Sequence, residues 1–273
     1  MLKTVTKKSF VEYRLKTTNT SLIESVSEYI KYVEFLRNSF MPDIWFRGIS
    51  RSSYKLVPSI YRNNVWNYNK SGAQDITNSF IHKAKIYYSN KSRISKWEWY
   101  HLMQHYGVPT RLLDWTEGYL IALFFAVRNL SSVSIPSVWC INPFELNNFS
   151  SGEVVYFTDP ITRDEEDNEI VDKYLSDDSA DLPKYPIAIQ PPCINERIAS
   201  QRSCFTVNGV FRDAFSKIHA DSKSKFQLVQ LRISTSFAEK IKDEIVNAGI
   251  NEATLFPDLE GLARELKYEF GME

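Results

Sequence analysis

The chain is poor in the residues on which many nucleotide-binding and metal-binding folds depend. Its 273 residues include only 9 glycines and 3 cysteines. So few glycines argue against a fold that needs several glycine-rich phosphate loops, and the cysteines lack the spacing of disulfide frameworks or metal sites. The patterns G-x-x-x-x-G-K-[ST], G-x-G-x-x-G, G-x-S-x-G and H-E-x-x-H are also absent from the sequence. These absences exclude the usual signatures of P-loop, Rossmann, α/β-hydrolase and zinc-protease enzymes.

The chain also lacks an excess of charge and a long apolar run. Lys+Arg 33 balances Asp+Glu 33, which argues against binding nucleic acid through bulk charge. No apolar stretch approaches the roughly 18 residues of a membrane span. The N-terminal segment MLKTVTKKSF has no apolar core of a secretory signal. We therefore expect a cytoplasmic protein in reducing surroundings, with no membrane partner.

The sequence is rich in aromatic residues, at 14%, and its apolar patterns predict helices and strands in irregular order. This order favours an α+β fold in which a small mixed or antiparallel central sheet is flanked by helices. We expect an N-terminal helical lead-in over residues 1–42 and one α+β domain over residues 43–273. The acidic runs near 144–185 predict an insertion of exposed helix and loop.

The segment WFRG is the first of three that combine polar groups with apolar neighbours. Here a short predicted strand ends at Gly48, directly after Arg47. An arginine in this position can offer its guanidinium fork to a phosphate or a carboxylate. The alternative is that Arg47 pairs with Asp114 or a backbone carbonyl and only stabilises the fold.

The segment QHYGVPTRLLDWT, residues 104–116, is the second and the most polar within an apolar run. We assign its leucines and tryptophan to the core. The residues that we expect to face a ligand are His105, Tyr106, Thr110 and Arg111. Asp114 is a candidate general base, but it is equally suited to pair with an arginine, and either Asp114 or Thr116 can cap the next helix. His101 and His105 share one helix face, but without a third ligand the sequence does not predict a metal site.

The segment RIASQRSCF is the third, and it places Gln201 before a predicted strand, one helical turn after Arg197. A glutamine cannot serve as a general base at neutral pH, but it can hydrogen-bond a hydroxyl or an amide. Cys204 is best interpreted as a small buried residue. A nucleophile that is activated by His105 or His219 stays open as an alternative.

Taken in this order, the three segments resemble the FRG domain family. The matching residues are Phe46-Arg47-Gly48, Gln104 to Gly107, Pro109 to Thr116, Ala122 to Ala126, Arg197, Gln201, Phe205-Thr206 and the tail TLFPDLEGLA at 254–263. The match extends over roughly residues 44–263. One departure is Ser203, where the family usually has glycine.

More distantly, the same order is similar to that of ADP-ribosyltransferases. That resemblance implies a split sheet and NAD as the substrate, with Arg47 on its phosphates or ribose and the middle segment along the nicotinamide pocket. Gln201 stands where a catalytic glutamate usually orients the ribose hydroxyl. The implied catalytic residues are Arg47, Gln201 and Asp114. The implied NAD-binding residues are Arg47, His105, Tyr106, Thr110, Arg111, Thr116 and Arg197.

Our first hypothesis is therefore an NAD-consuming ADP-ribosyltransferase-like effector, such as a toxin or phage-defence protein, that modifies a protein or a nucleic acid. The alternative is a non-catalytic module that binds a nucleotide or single-stranded nucleic acid. Interleaved basic and aromatic residues favour that alternative: Arg47, Arg51, Tyr54, Lys55, Tyr61, Arg62 and Trp66. A third hypothesis is a hydrolase or nuclease that uses Asp114, His105 and a metal.

Overall fold

The computed structural model describes residues 22–39, 41–62, 72–87, 94–130, 134–152, 157–158, 169–175, 181–191, 196–221 and 224–272. The helices are α1 Val26–Ser39, α2 Gly72–Ala84, α3 Lys96–His105, α4 Tyr119–Val127, α5 Pro143–Ser151, α6 Glu169–Asp172, α7 Glu196–Ser200, α8 Ala214–Ala220, α9 Ala238–Asn247, α10 Glu252–Leu255 and α11 Leu259–Glu269. The strands are β1 Trp45–Ile49, β2 Leu112–Thr116, β3 Ser137–Ile141, β4 Phe157–Thr158, β5 Ile187–Gln190, β6 Ser203–Val207 and β7 Leu228–Arg232. Helices and strands alternate irregularly, which confirms the predicted α+β class.

The chain divides into two compact units, each made of several chain segments. Unit 1 contains residues 1–54, 118–141 and 228–273, and unit 2 contains residues 55–117 and 142–227. In unit 1 the strands follow the order β1-β3-β7 and are antiparallel. In unit 2 the order is β4-β5-β6-β2, with β4 parallel to β5 and the other pairs antiparallel. The predicted boundary at residue 42 and the acidic insertion stay predictions, and most of the run 162–169 lies outside the described residues.

The core of unit 1 depends on a close approach of α4 to β1. Helix α4 is apolar almost all round, and Ala122 and Ala126 are completely buried. A Cβ added to Gly48 would lie 1.9 Å from the carbonyl oxygen of Ala122 and 2.6 Å from the amide nitrogen of Ala126. Phe46 lies two residues before Gly48, on the same face of β1. Its ring is in edge-to-face contact with that of Tyr119, with the ring centres 6.3 Å apart. The glycine of the FRG tripeptide is therefore required because the helix backbone lies directly against it.

A clamp of charged and aromatic groups joins α4 to the C-terminal helices of unit 1. Arg128 and Arg264 both bind the carboxylate of Glu252, whose side chain is only 11% exposed. The two guanidinium groups also lie over the ring of Phe256, at 4.5 and 4.8 Å from its centre. The tail segment 254–263 thus has a structural role in which cation–π contacts and ion pairs reinforce one another.

In unit 2 the helix α3 covers one face of the antiparallel strands. A capping box between Ser95 and Glu98 begins this helix, and Gly107, with φ 72°, follows its end. Aromatic and aliphatic side chains of α3, including Trp97 and Tyr100, pack with Leu112 and with residues of β5 and β6. The end of α3 is thereby held beside β2, which brings the two halves of the segment 104–116 together.

Helix α5 begins shortly after β3. Pro143 is its first residue, and Asn142 caps the helix by accepting bonds from the amides of Phe144 and Glu145. Leu146 and Asn147 of this helix are fully buried. Within the described ranges, every helix is too short or too polar to cross a membrane.

Candidate functional site

A relay of hydrogen bonds connects the two halves of the segment 104–116 in unit 2. The hydroxyl of Thr110 donates to Gln104 Oε1 at 2.5 Å, and Gln104 Nε2 donates to Asp114 Oδ1 at 2.9 Å. Thr110 is fully buried whereas Asp114, in the middle of β2, is exposed. Gln104 therefore fixes the orientation of a carboxylate that solvent and ligands can reach.

Arg111 lies on the interior side of this segment. It is 5% exposed, its backbone amide donates to the hydroxyl of Tyr100 at 2.8 Å, and its guanidinium donates to the carbonyl of Tyr174. These contacts give Arg111 a role in holding α3 against the strands. That it faces a ligand stays a prediction.

The third sequence segment meets the second where β2 ends and β6 begins. Gln201 lies two residues before the start of β6, and its carbonyl accepts a bond of 2.7 Å from the hydroxyl of Thr116. Arg202 has φ 45°, a left-handed conformation that is costly for a residue with a side chain. Such strain persists only where the surrounding bonds enforce it. The turn between α7 and β6 is thus fixed relative to the end of β2.

Arg197 stabilises the same turn through its backbone. Its carbonyl accepts the amide of Gln201 at 3.0 Å and the hydroxyl of Ser200 at 3.2 Å. The side chain is half-buried. Its predicted role in NAD binding stays a prediction.

Glu117 is a charged group of this region that sequence reasoning missed. Its carboxylate accepts a bond of 3.0 Å from the amide of Gln190 and pairs with Arg202 at 3.3 Å. Its backbone amide donates to the carbonyl of Arg202. Since the partners are 73 and 85 residues away in sequence, local patterns carry no signal for this cluster.

The helix that follows β2 begins without a side-chain cap from its N-cap residue. Gly118 occupies that position of α4. Two residues, Glu117 and Gly118, lie between the end of β2 and the start of the helix. That Asp114 or Thr116 caps the free amides of this helix stays a prediction.

The thiol of Cys204 is unsuited to nucleophilic attack. Complete burial raises its pKa well above the ordinary value, and the carboxylates of Glu117 and Asp114 raise it further, while Arg202 opposes them. The neutral thiol is a weak nucleophile. The interpretation of Cys204 as a buried apolar residue is the one that these contacts favour.

The end of α3 and the following loop form one wall of an open groove in unit 2. The groove has a volume of about 790 Å³, within the range of small-molecule sites. Its lining residues are Ile76, Ser79, Phe80, Lys83, Ala84, Tyr87, Tyr106, Gly107, Val108 and Pro109. Tyr106 is 64% exposed, and its ring is nearly perpendicular to that of His105, with the ring centres 4.8 Å apart. One predicted ligand-facing residue, Tyr106, thus lines an aromatic groove, and His105 packs beside it.

His101 and His105 have different surroundings although they share one helix. His101 is 4% exposed and packs between the rings of Trp97 and Phe205, at 6.0 and 5.2 Å, whereas His105 is exposed. Across the described residues, no three His, Cys, Asp or Glu side chains come together in a way that could hold a metal ion.

Arg47 belongs to unit 1, in the middle of β1 and directly opposite Trp139 of β3. It is half-buried. Since neighbouring residues of a strand point to opposite faces, Arg47 lies on the face of β1 opposite to that of Gly48, which packs against α4. The other predicted site residues belong to unit 2. There the structure brings together Thr110 with Asp114, through Gln104, and Thr116 with Gln201.

Comparisons with known proteins agree with one part of the sequence interpretation. No curated protein and no solved structure matches the chain. The segments around Gln201 and residues 254–263 lie beyond the matched family segment, and the similarity to ADP-ribosyltransferases stays a prediction. Residues 42–134 match the family model of the FRG domain, which confirms the FRG resemblance over the tripeptide, the segment 104–116 and helix α4.

Proposed function

We propose that this chain binds NAD and transfers its ADP-ribose group to a protein or a nucleic acid, with release of nicotinamide. The observation that carries the proposal is the position of the three segments on their strands. Arg47 lies within β1, Thr116 ends β2 just before α4, and Gln201 lies two residues before the start of β6. The bond of 2.7 Å between Thr116 and Gln201 supports the pairing of the second and third segments.

The reaction needs little general acid–base catalysis. The bond between the ribose C1′ and the nicotinamide nitrogen breaks, and neutral nicotinamide leaves with the electron pair. A hydroxyl, amine or ring nitrogen of the acceptor then attacks C1′ and loses its proton. The positive charge on the ribose in the transition state is stabilised mainly by positioning and electrostatics.

Each of the three predicted catalytic residues has a role in this scheme. The guanidinium of Arg47 would bind phosphate oxygens, and the amide of Gln201 would hydrogen-bond a ribose hydroxyl. Asp114, held by Gln104 and exposed, would accept the proton of the acceptor group. In this scheme NAD is consumed as a substrate.

The proposal is tested by mixing the purified full chain with NAD and with candidate acceptors, and by measuring nicotinamide release and the NAD-dependent shift of the melting temperature. We expect release and a positive shift in the wild type, and loss of both in Arg47→Ala. Arg212→Ala is the matched control because Arg212 is an exposed arginine with no predicted role. Absence of both release and shift in the wild type would refute the proposal.

The groove beside Tyr106 favours a second candidate function, the binding of a nucleotide or single-stranded nucleic acid without catalysis. Exposed Tyr87 and Tyr106 offer ring faces for base stacking, and Lys83 offers a positive charge. By contrast, Tyr61 is buried and donates to the carbonyl of Gly209, so it is not a stacking surface. Trp66 lies outside the described residues.

This second function predicts oligonucleotide binding that weakens steeply as salt increases. Replacing Tyr106 by alanine should weaken binding about tenfold, since one stacked base contributes about 1–3 kcal/mol. Phe270→Ala, which removes an exposed aromatic ring of unit 1, should leave the affinity unchanged. A flat salt dependence in fluorescence-anisotropy titrations would contradict this candidate.

A further inference from the structure

The three strands of unit 1 have one apolar face and one face rich in hydrogen-bond donors. On the first face, residues such as Val138 and Leu231 are buried in the core that includes α4 and α9. On the second face, Arg47, Trp139 and Gln230 form one row, because Arg47 is opposite Trp139 and Trp139 is opposite Gln230. Side chains directly opposite each other in antiparallel strands are neighbours on the same face.

Trp139 and Arg232 each place a buried donor without an acceptor on this second face. The indole Nε1 of Trp139 and the Nε of Arg232 have no hydrogen-bond partner among the described residues. Arg232 ends β7 and lies opposite Ser137, so its position is diagonal to Trp139. Buried donors are nearly always bonded in folded proteins, and each exception needs an explanation.

The contrast with Gln230 shows that the face can satisfy its polar groups where it has acceptors. The amide of Gln230 donates to the carbonyl of Ser52 at 2.9 Å and to the hydroxyl of Ser137 at 3.0 Å. No residue of β1, β3 or β7 is an aspartate or a glutamate. The strands therefore place the guanidinium groups of Arg47 and Arg232 and the indoles of Trp45 and Trp139 on this face, but no carboxylate.

We propose that Trp139 and Arg232, together with Arg47, form an anion-binding subsite on this face of unit 1. Its ligand is a phosphate or pyrophosphate group, whose oxygens are acceptors for indole and guanidinium N–H groups alike. The identification of this group as the pyrophosphate of NAD rests on the proposed function. Trp139 is then a binding residue that gives directionality, since an indole has a single donor in a fixed plane.

The test uses the 15N-labelled full chain and inorganic pyrophosphate or ADP-ribose as probes. The indole resonance of Trp139 is identified as the one that disappears in Trp139→Phe. We expect this resonance to shift on titration, and we expect Trp139→Phe to weaken binding by about tenfold in calorimetry, as for one hydrogen bond to a charged acceptor. Trp97→Phe is the matched control, because the indole of Trp97 already donates to Asp172.

Two outcomes overturn the subsite. Either the Trp139 resonance stays unmoved at saturation, or Trp139→Phe binds the probes as well as Trp97→Phe does. Failure of the proposed function gives a different pattern: pyrophosphate binding depends on Trp139, but the wild type releases no nicotinamide from NAD. If the wild type releases nicotinamide and Trp139→Phe does so with the same KM for NAD, the proposed function is supported and the subsite is refuted.

Discussion

Replacing Gly48 by alanine is the change whose consequence follows most directly from the structure. The new methyl group would lie 1.9 Å from the carbonyl oxygen of Ala122, 2.6 Å from the amide of Ala126 and 2.9 Å from the Cβ of Phe125. Two of these atoms are backbone, so rotation of a side chain cannot relieve the contact. Helix α4 would have to retreat by about 1.5 Å to restore ordinary van der Waals distances.

We expect this substitution to lower the free energy of unfolding by about 2–4 kcal/mol. Inserting a methyl group into a packed interior typically costs about 1–3 kcal/mol, and more where backbone must move. Against this, alanine restricts the unfolded chain and returns about 0.4–1 kcal/mol. The retreat of α4 also loosens fully buried neighbours such as Ala122. The net loss should therefore exceed that of a substitution that only strains the backbone.

The measurement is urea unfolding followed by tryptophan fluorescence and circular dichroism. Gly152→Ala is the matched control, because Gly152 has φ 84° and an added Cβ would meet nothing within 4 Å. Its cost should be the strain alone, about 1–2 kcal/mol. If Gly48→Ala lowers the free energy of unfolding no more than Gly152→Ala does, the close approach of α4 to β1 is not the reason that position 48 requires glycine.

Three further predictions concern the clamp, the relay and the thiols. Glu252→Gln should lower the free energy of unfolding by about 2–4 kcal/mol, because two arginines lose a largely buried partner. Glu244→Gln, the control in an exposed ion pair, should lower it by less than about 0.5 kcal/mol. Equal urea midpoints for the two variants would contradict the clamp. Gln104→Ala should cost about 1–3 kcal/mol, since it removes both bonds of the relay, and an unchanged melting temperature would show that the relay stabilises nothing. Burial raises the pKa of Cys140 and Cys204 in the folded protein. The free energy of unfolding should therefore be independent of these thiols below about pH 8.5, and above it should fall by about 1.4 kcal/mol per pH unit for each thiol, because only the unfolded thiols ionise. A urea midpoint that stays constant from pH 8 to 10 would be inconsistent with these shifts.

Local sequence signals were sufficient for most elements of the fold. The apolar pattern after Thr116 predicts a buried helix, and α4 is that helix. The alternation before Arg232 predicts a half-buried strand, and β7 has that burial pattern. The start of helix α5 was harder to locate, because a proline can follow a strand or begin a helix, and the cap by Asn142 decides between the two.

The candidate site was less predictable because its bonds join distant segments. The pairing of Thr116 with Gln201 follows the order of the motifs, but the partners of Glu117 come from β5 and from the turn before β6. The donors of Trp139 and Arg232 were invisible in the sequence, since the strand register alone places them on the face of Arg47. Residue types predict which groups carry chemistry, whereas register determines which of them meet.

The most direct test of the proposed function compares nicotinamide release by the wild type with that of two variants at position 201. A carboxylate stabilises a developing positive charge better than an amide does, so Gln201→Glu should release nicotinamide about tenfold faster. Gln201→Ala should be slower, and Gln227→Ala, which changes a glutamine whose amide donates to the nearby carbonyl of Lys225, should match the wild type. Identical rates in all four proteins would contradict the assignment of Gln201 to the reacting ribose.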